Sequence, residues 1–209
     1  MNDVITIVDY GMGNLGAVRN MFKRIGVLAE ITGDPTQVAR AQRILLPGVG
    51  AFDAAMKRIN ASGLREVLDR KAKVERVPIL GICLGMQLLT RGSEEGTEQG
   101  LGWIAADTRR FPTQPGLKVP HMGWNVVQAT QSHPLTADLP PDPRFYFVHS
   151  FYVHVDDTRD SLLRAHYGLD FDAAIAHGNI HGAQFHAEKS HRFGMKLLGN
   201  FARLASQPC

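Results

Sequence analysis

The sequence predicts an α/β fold: a mostly parallel central sheet flanked by helices, with antiparallel additions in the C-terminal half. Three observations predict it. Through the first half, short apolar runs alternate with helical patterns, the arrangement of parallel strands covered on both faces. After Gly102 the texture changes to short β-prone runs. The composition, 44% hydrophobic and 21% charged over 209 residues, suits one globular core, so residues 1–209 are read as a single domain.

Each element follows in order. Val4-Ile5-Thr6-Ile7-Val8 reads as a buried strand, and Gly11-Met12-Gly13-Asn14 as a turn into a helix running to about Ile25. Val27-Leu28-Ala29-Glu30-Ile31 predicts a second strand, Arg43-Ile44-Leu45-Leu46 a third, and Val77-Pro78-Ile79-Leu80-Gly81-Ile82 a fourth, with helices between them. The later β-prone runs are Phe145-Tyr146-Phe147-Val148, Phe151-Tyr152-Val153-His154-Val155 and Ile180-His181-Gly182-Ala183-Gln184-Phe185. Prolines break residues 112–116 and 134–143 into loops, and a helix over residues 190–204 closes the chain. There is no internal repeat or low-complexity tract.

Several function classes drop out. The formal net charge is only +3 and no long basic run appears, so Arg109-Arg110 reads as solvated surface rather than a nucleic-acid patch. Two cysteines, Cys83 and Cys209, lie far apart, in neither a disulfide framework nor a zinc spacing. The start lacks the basic stretch and cleavage pattern of a signal peptide, and no apolar run approaches the ~20 residues of a membrane span. A cytoplasmic protein is expected. No cofactor motif is visible, and the histidine spacings identify no metal site.

The chemistry centres on Gly81-Ile82-Cys83-Leu84-Gly85. A strand ending at Ile82 and a helical run from Leu84 put the Cys83 thiol at a sharp turn, the cysteine analogue of a nucleophile elbow, with glycines leaving space around it. The helix start presents free N–H groups that favour thiolate, and the Leu84 N–H is a natural oxyanion donor. The elbow alone also fits a small buried apolar residue.

A thiol nucleophile needs a base. His186-Ala187-Glu188 follows the last apparent strand, and residues two apart in an extended segment point the same way, so an imidazole and a carboxylate lie side by side. His186 would accept the thiol proton and protonate the leaving amine, while Glu188 holds the tautomer. With nine histidines in the chain, His121, His149, His154 and His181 compete for the role. Pro47-Gly48-Val49-Gly50, after the third strand, offers a tight backbone turn as a second oxyanion donor, or merely an ordinary strand-to-helix loop.

Together, Pro47-Gly48-Val49-Gly50, Gly81-Ile82-Cys83-Leu84-Gly85-Met86-Gln87 and Gln184-Phe185-His186-Ala187-Glu188-Lys189-Ser190 resemble the class I glutamine amidotransferase family, in the family's order and across most of the chain. The resemblance implies a Cys83–His186–Glu188 triad, an oxyanion hole from Val49 and Leu84, and glutamine binding by Gly50, Gln87, Ser150 and Phe151.

Within the family, Tyr10-Gly11-Met12-Gly13-Asn14, Pro120-His121-Met122-Gly123-Trp124-Asn125 and Tyr146-Phe147-Val148-His149-Ser150 are similar to glutaminase subunits of histidine biosynthesis. That similarity implies a heterodimer with a (β/α)8-barrel cyclase. The cyclase would use the ammonia to make imidazole glycerol phosphate and an aminoimidazole carboxamide ribonucleotide. It also implies that Asn14, Met122, Trp124, Tyr146 and Lys189 lie at the subunit interface. Trp124 and Tyr146 suit an interface by joining an apolar face to a polar tip, and equally suit a core.

The alternatives are an amidotransferase subunit of another pathway and a non-catalytic thiol sensor on the same scaffold. One residue departs from the family: Ala187 stands where proline is usual, which predicts a less rigid spacing of His186 and Glu188.

Overall fold

The computed structural model describes residues 4–205; Cys209 lies outside them. The first half is β1 (Ile5–Val8), α1 (Leu15–Arg24), β2 (Ala29–Thr32), α2 (Pro35–Val38), β3 (Ile44–Gly48), α3 (Phe52–Ala61), α4 (Leu64–Lys73), β4 (Ile79–Cys83) and α5 (Leu84–Leu88). The second half is β5 (Ala106–Arg110), β6 (His121–Val126), β7 (Gln128–Ala129), β8 (Arg144–His149), β9 (Phe151–Val155), β10 (Ser161–His166), β11 (Asp170–His177), β12 (Ile180–Ala183) and α6 (His191–Phe201).

The main sheet runs β2-β1-β3-β4-β12-β11-β10-β7, with β9 joining β11 and β5 joining β9. Strands β2, β1, β3, β4 and β12 are parallel. From β11 onward every pairing is antiparallel. The expected mixture of a parallel centre and C-terminal antiparallel additions is the observed one.

Strand alternation divides the core. Ile5, Ile7, Leu45, Leu80 and Ile82 pack on one face with Val18 and Phe22 of α1 and Leu197, Leu198 and Phe201 of α6. Val8, Ile44, Leu46 and Ile79 pack on the other with Phe52, Met56 and Ile59 of α3 and Leu64 and Leu68 of α4. Successive side chains of a strand leave opposite faces, so strands buried on both sides are apolar at nearly every position; the exception in β1, buried Thr6, donates its hydroxyl to Glu30.

The second strand starts two residues later than its apolar run. Helix α1 ends in a Schellman motif: Gly26 takes φ +74°, its N–H donates to the Lys23 carbonyl and the Val27 N–H to the Phe22 carbonyl. Val27 is thus spent on closing the helix. The helical stretch expected before the fourth strand is two helices, α3 and α4, with Gly63 at φ +74° between them.

Strands β6 and β8 form a separate two-stranded ribbon in which His121 faces His149 and Trp124 faces Tyr146. Along β6, Met122, Trp124 and Val126 are exposed, while His121 is buried and Asn125 half-buried. Among the described residues, no helix is long and apolar enough to cross a membrane.

Candidate active site

The carboxyl ends of parallel strands collect the loops of an open α/β sheet, and the crevice beyond them is where such folds bind ligands. Here β3, β4 and β12 end together: Gly48 is the register partner of Cys83, and Ala183 that of Ile82. These ends deliver Val49-Gly50, Cys83 and His186 to one cavity of about 440 Å³, within the range of small-molecule sites.

Cys83 ends β4 at φ 55° and ψ −112°, and α5 starts at the next residue. A positive φ is strained for a residue with a Cβ, and such strain persists only where the surroundings impose it. They do so here: a Cβ on Gly81 would strike the Gly85 backbone, and one on Gly85 the Leu46 carbonyl. The elbow therefore packs backbone against backbone, and the cysteine is the residue left bent. Its Sγ lies 3.9 Å from the Val148 carbonyl and 3.9 Å from Gln184 Nε2.

His186 is reached differently from the expected extended segment. A 3-10 turn, Ala187–Lys189, begins immediately after it. The turn, rather than strand alternation, curls Glu188 back so that His186 Nδ1 donates to Glu188 Oε1 at 2.7 Å. Ser190 locks it: its Oγ donates to the His186 carbonyl at 2.6 Å and accepts from the Tyr146 N–H at 3.0 Å. His186 also donates its own backbone N–H to the Tyr146 carbonyl.

With Nδ1 committed to the carboxylate, His186 Nε2 is buried without a protein hydrogen-bond partner, as is Glu188 Oε2. Burial opposes charge on the imidazole, but Cys83 and Glu188 together outweigh it and raise its pKa to about 9. At neutral pH His186 is therefore an imidazolium beside Cys83, with a proton to give from Nε2.

On the opposite wall, Val49 and Gly50 leave β3 exposed, with Gly50 at φ +112°. Tyr10, buried beneath them, donates its hydroxyl to the Pro47 carbonyl at 2.5 Å. Burial, then the neighbouring Cys83, push the Tyr10 pKa far up, so it stays a neutral donor.

Gln87, Ser150 and Phe151 line the cavity, but Gln87 is less free than its motif suggests. Its amide N–H groups go to the Phe151 carbonyl at 3.3 Å and to Gln184 Oε1 at 3.1 Å. Gln184, which sequence reasoning passed over as part of a strand, is fully buried and links Gln87 to the Cys83 sulfur. A glutamine in the apolar run before His186 was the available signal.

Glu95, also passed over, lines the cavity and accepts the Phe52 N–H through Oε2 at 2.9 Å. Its loop gives no periodicity from which to place it.

The competing histidines are elsewhere or otherwise engaged. His181 Nδ1 faces the Ile79 carbonyl, His154 sits opposite Asp107 in the β5–β9 ladder, and His121 pairs with His149. Among the described residues, no group of three or more His, Cys, Asp or Glu side chains could hold a metal ion.

Four of the five expected interface residues form one face: Tyr146 lies opposite Trp124, Lys189 Nζ is 5.7 Å from the Tyr146 ring centroid, and Met122 is 62% exposed. Trp124 also stacks on His191 at 5.5 Å between centroids. Asn14 is exposed at the amino end of α1, where its Oδ1 accepts the Ala17 N–H.

The sequence profile of the family described as glutamine amidotransferase class-I matches residues 6–204. Imidazole glycerol phosphate synthase subunit HisH 2 of Methanococcus maripaludis is 48% identical over 202 residues, covering 97% of this chain and 100% of that protein. The protein of the same name from Pseudomonas aeruginosa is 47% identical over 201 residues, covering 96% and 100%.

Among solved structures, PurLQS from Thermotoga maritima superposes with a TM-score of 0.72 at 18% identity, covering 96% of this chain and 98% of that one. A putative GMP synthase subunit from Thermoplasma acidophilum gives 0.71 at 19% identity, covering 97% and 93%. These two likenesses concern the fold.

Proposed function

The chain belongs to the class I glutamine amidotransferase family, and from that premise we propose that it is the glutaminase subunit of imidazole glycerol phosphate synthase, releasing ammonia from L-glutamine for histidine biosynthesis. The observation that carries the mechanism is the pairing of a strained Cys83 with an imidazole whose Nδ1 is fixed on Glu188 and whose Nε2 is left unpartnered at the cavity.

Cys83 thiolate attacks the side-chain amide carbon of glutamine, forming a carbon–sulfur bond and a tetrahedral oxyanion. The Leu84 N–H, at the start of α5, and the Val49 N–H receive that charge. His186 Nε2 passes its proton to the departing nitrogen, the carbon–nitrogen bond breaks, and ammonia leaves a γ-glutamyl thioester. Neutral His186 then takes a proton from water as the water attacks the thioester. Glutamate departs, and the imidazolium–thiolate pair is restored. Glu188 steadies the imidazolium throughout.

Gly50, Gln87, Ser150 and Phe151 hold the substrate, and the Glu95 carboxylate is the complement to its α-ammonium group. A cyclase with a (β/α)8 barrel docks on Met122, Trp124, Tyr146 and Lys189, beside Asn14, as the second chain of a heterodimer in the cytoplasm. It combines the ammonia with a phosphoribulosyl aminoimidazole-carboxamide ribonucleotide, yielding imidazole glycerol phosphate and an aminoimidazole carboxamide ribonucleotide. The apolar breadth and exposure of Met122 and Trp124 support this face.

The test is glutamine turnover with and without the cyclase, and its dependence on Cys83. Ammonia-dependent synthesis by the complex should survive Cys83→Ala while glutamine-dependent synthesis is lost. Retention of full glutamine-dependent synthesis by that variant would refute the mechanism.

A further inference from the structure

At the cavity wall, three side chains form a hydrogen-bonded line, the last of them, His149, lining the cavity and ending on the wall's backbone. Asn125 Nδ2 lies 3.3 Å from His121 Nε2, His121 Nδ1 lies 2.9 Å from His149 Nε2, and His149 Nδ1 lies 2.7 Å from the Phe151 carbonyl. A carbonyl only accepts, so His149 Nδ1 carries a hydrogen. Both rings are buried, and burial lowers the pKa of His121 to about 4 and of His149 to about 3; both are neutral, with one N–H each. His149 Nε2 is therefore an acceptor, His121 Nδ1 the donor to it, and His121 Nε2 the acceptor of the Asn125 amide. Every direction in the line follows from its last bond.

Stacking prevents the line from re-forming by rotation. The His121 ring is held between Phe147, at 4.8 Å and 23°, and Tyr167, at 4.0 Å and 22°. His149 meets Phe111 and Phe171 edgewise or tilted. Asn125 is oriented by a second bond, 2.9 Å to the His166 carbonyl.

The Phe151 carbonyl where the line ends also accepts from Gln87, which reaches Cys83 through Gln184. The His149-to-Phe151 bond spans Ser150, whose own carbonyl accepts the Phe111 N–H. Both Ser150 and Phe151 line the cavity.

We propose that His121 and His149 are positioning residues for glutamine binding: held as Nδ1–H tautomers, they pin the Ser150–Phe151 backbone and, through the shared Phe151 carbonyl, the Gln87 side chain. This rests on the glutaminase reading for the identity of the ligand. The relay itself stands on the hydrogen-bond geometry.

Two measurements on the full-length chain test it. Long-range proton–nitrogen correlation of nitrogen-15 histidines reports the tautomer of each neutral ring, with His121→Phe and His149→Phe assigning the signals. Both rings should be Nδ1–H, the form less favoured by free histidine; an Nε2–H signal for either would overturn the relay. In the complex with the cyclase, His121→Phe keeps a ring in the stack but removes the donor. It should leave His149 Nε2 without a donor, loosen the hold of His149 on the Phe151 carbonyl, and raise KM for glutamine by about tenfold, the worth of one buried hydrogen bond, with kcat changing less.

His121→Asn, whose amide nitrogen can replace Nδ1–H, should restore KM. An unchanged KM in His121→Phe, or an equal loss in His121→Asn, would overturn the positioning role. If His121→Phe failed to fold, the wild-type tautomers and the His121→Asn KM would still decide. A wild-type complex with these tautomers but no glutamine turnover would refute the glutaminase reading and, with it, the assignment of the ligand, leaving the relay intact.

Discussion

Gly48 and Cys83 face each other as the last register pair of β3 and β4, so the segment proposed to offer the second oxyanion donor starts beside the proposed nucleophile. A Cβ on Gly48 would collide with the Tyr10 hydroxyl and press Leu84 Cβ at 3.0 Å. Tyr10, bound to the Pro47 carbonyl, is thus the floor under this turn.

Tyr10→Phe should remove that bond without changing the ring volume. The expected cost is about 1 kcal/mol of unfolding free energy, read by chemical denaturation. If the Tyr10 hydroxyl holds the Val49 donor in place, kcat for glutamine should fall more than KM rises. A variant with wild-type kcat would remove Tyr10 from any part in shaping the oxyanion site.

The bent backbone of Cys83 makes a second, opposite kind of prediction. At φ 55° and ψ −112° glycine is relieved of a strain that alanine retains. Both Cys83→Gly and Cys83→Ala should abolish glutamine hydrolysis, but Cys83→Gly should be more stable than Cys83→Ala by about 1 kcal/mol, despite the usual penalty of glycine's chain entropy. Equal stabilities, or a weaker glycine variant, would show that the elbow is unstrained.

The pH dependence follows from His186. Its pKa is raised to about 9, so the imidazolium persists at neutral pH and is lost as pH rises through that value. The alkaline limb of kcat/KM should therefore fall near pH 9. Glu188→Gln removes one of the groups holding the proton on, so the limb should move to lower pH and the rate should drop by about 10²- to 10⁴-fold. A limb that stays in place would mean that Glu188 does not tune this imidazole.

The central parallel strands, the elbow and the order of the site residues were legible because each depends on local pattern: apolar runs for β1, β3 and β4, and glycines flanking Cys83. The His186–Glu188 pair was foreseen for a reason that does not operate. Strand alternation pointed to it, whereas a 3-10 turn makes it, and turn geometry after a strand depends on the Ser190 and Tyr146 contacts that no local pattern reveals. Gln184 and the His121–His149 line were hidden for a related reason. Their partners lie 101 and 28 residues away in sequence, and only the assembled sheet and ribbon bring them together.

Ala187, the departure from the family's usual proline, yields the last prediction. It is the first residue of the 3-10 turn and is fully buried, and proline is well suited to a first helical position because that N–H has no partner within the turn. His186 before it is at φ −82° and ψ 95°, an extended conformation compatible with a following proline. The Ala187 backbone packs against Gly194, where any Cβ would strike its carbonyl, so the turn is held by backbone packing even without the ring. Ala187→Pro should therefore stabilise the chain by about 0.4–1 kcal/mol, through a less flexible unfolded state, while glutamine turnover and its pH profile stay unchanged. A lower melting temperature would mean that the buried pocket has no room for the ring. Faster turnover would mean that the alanine turn had left His186 and Glu188 loosely spaced after all.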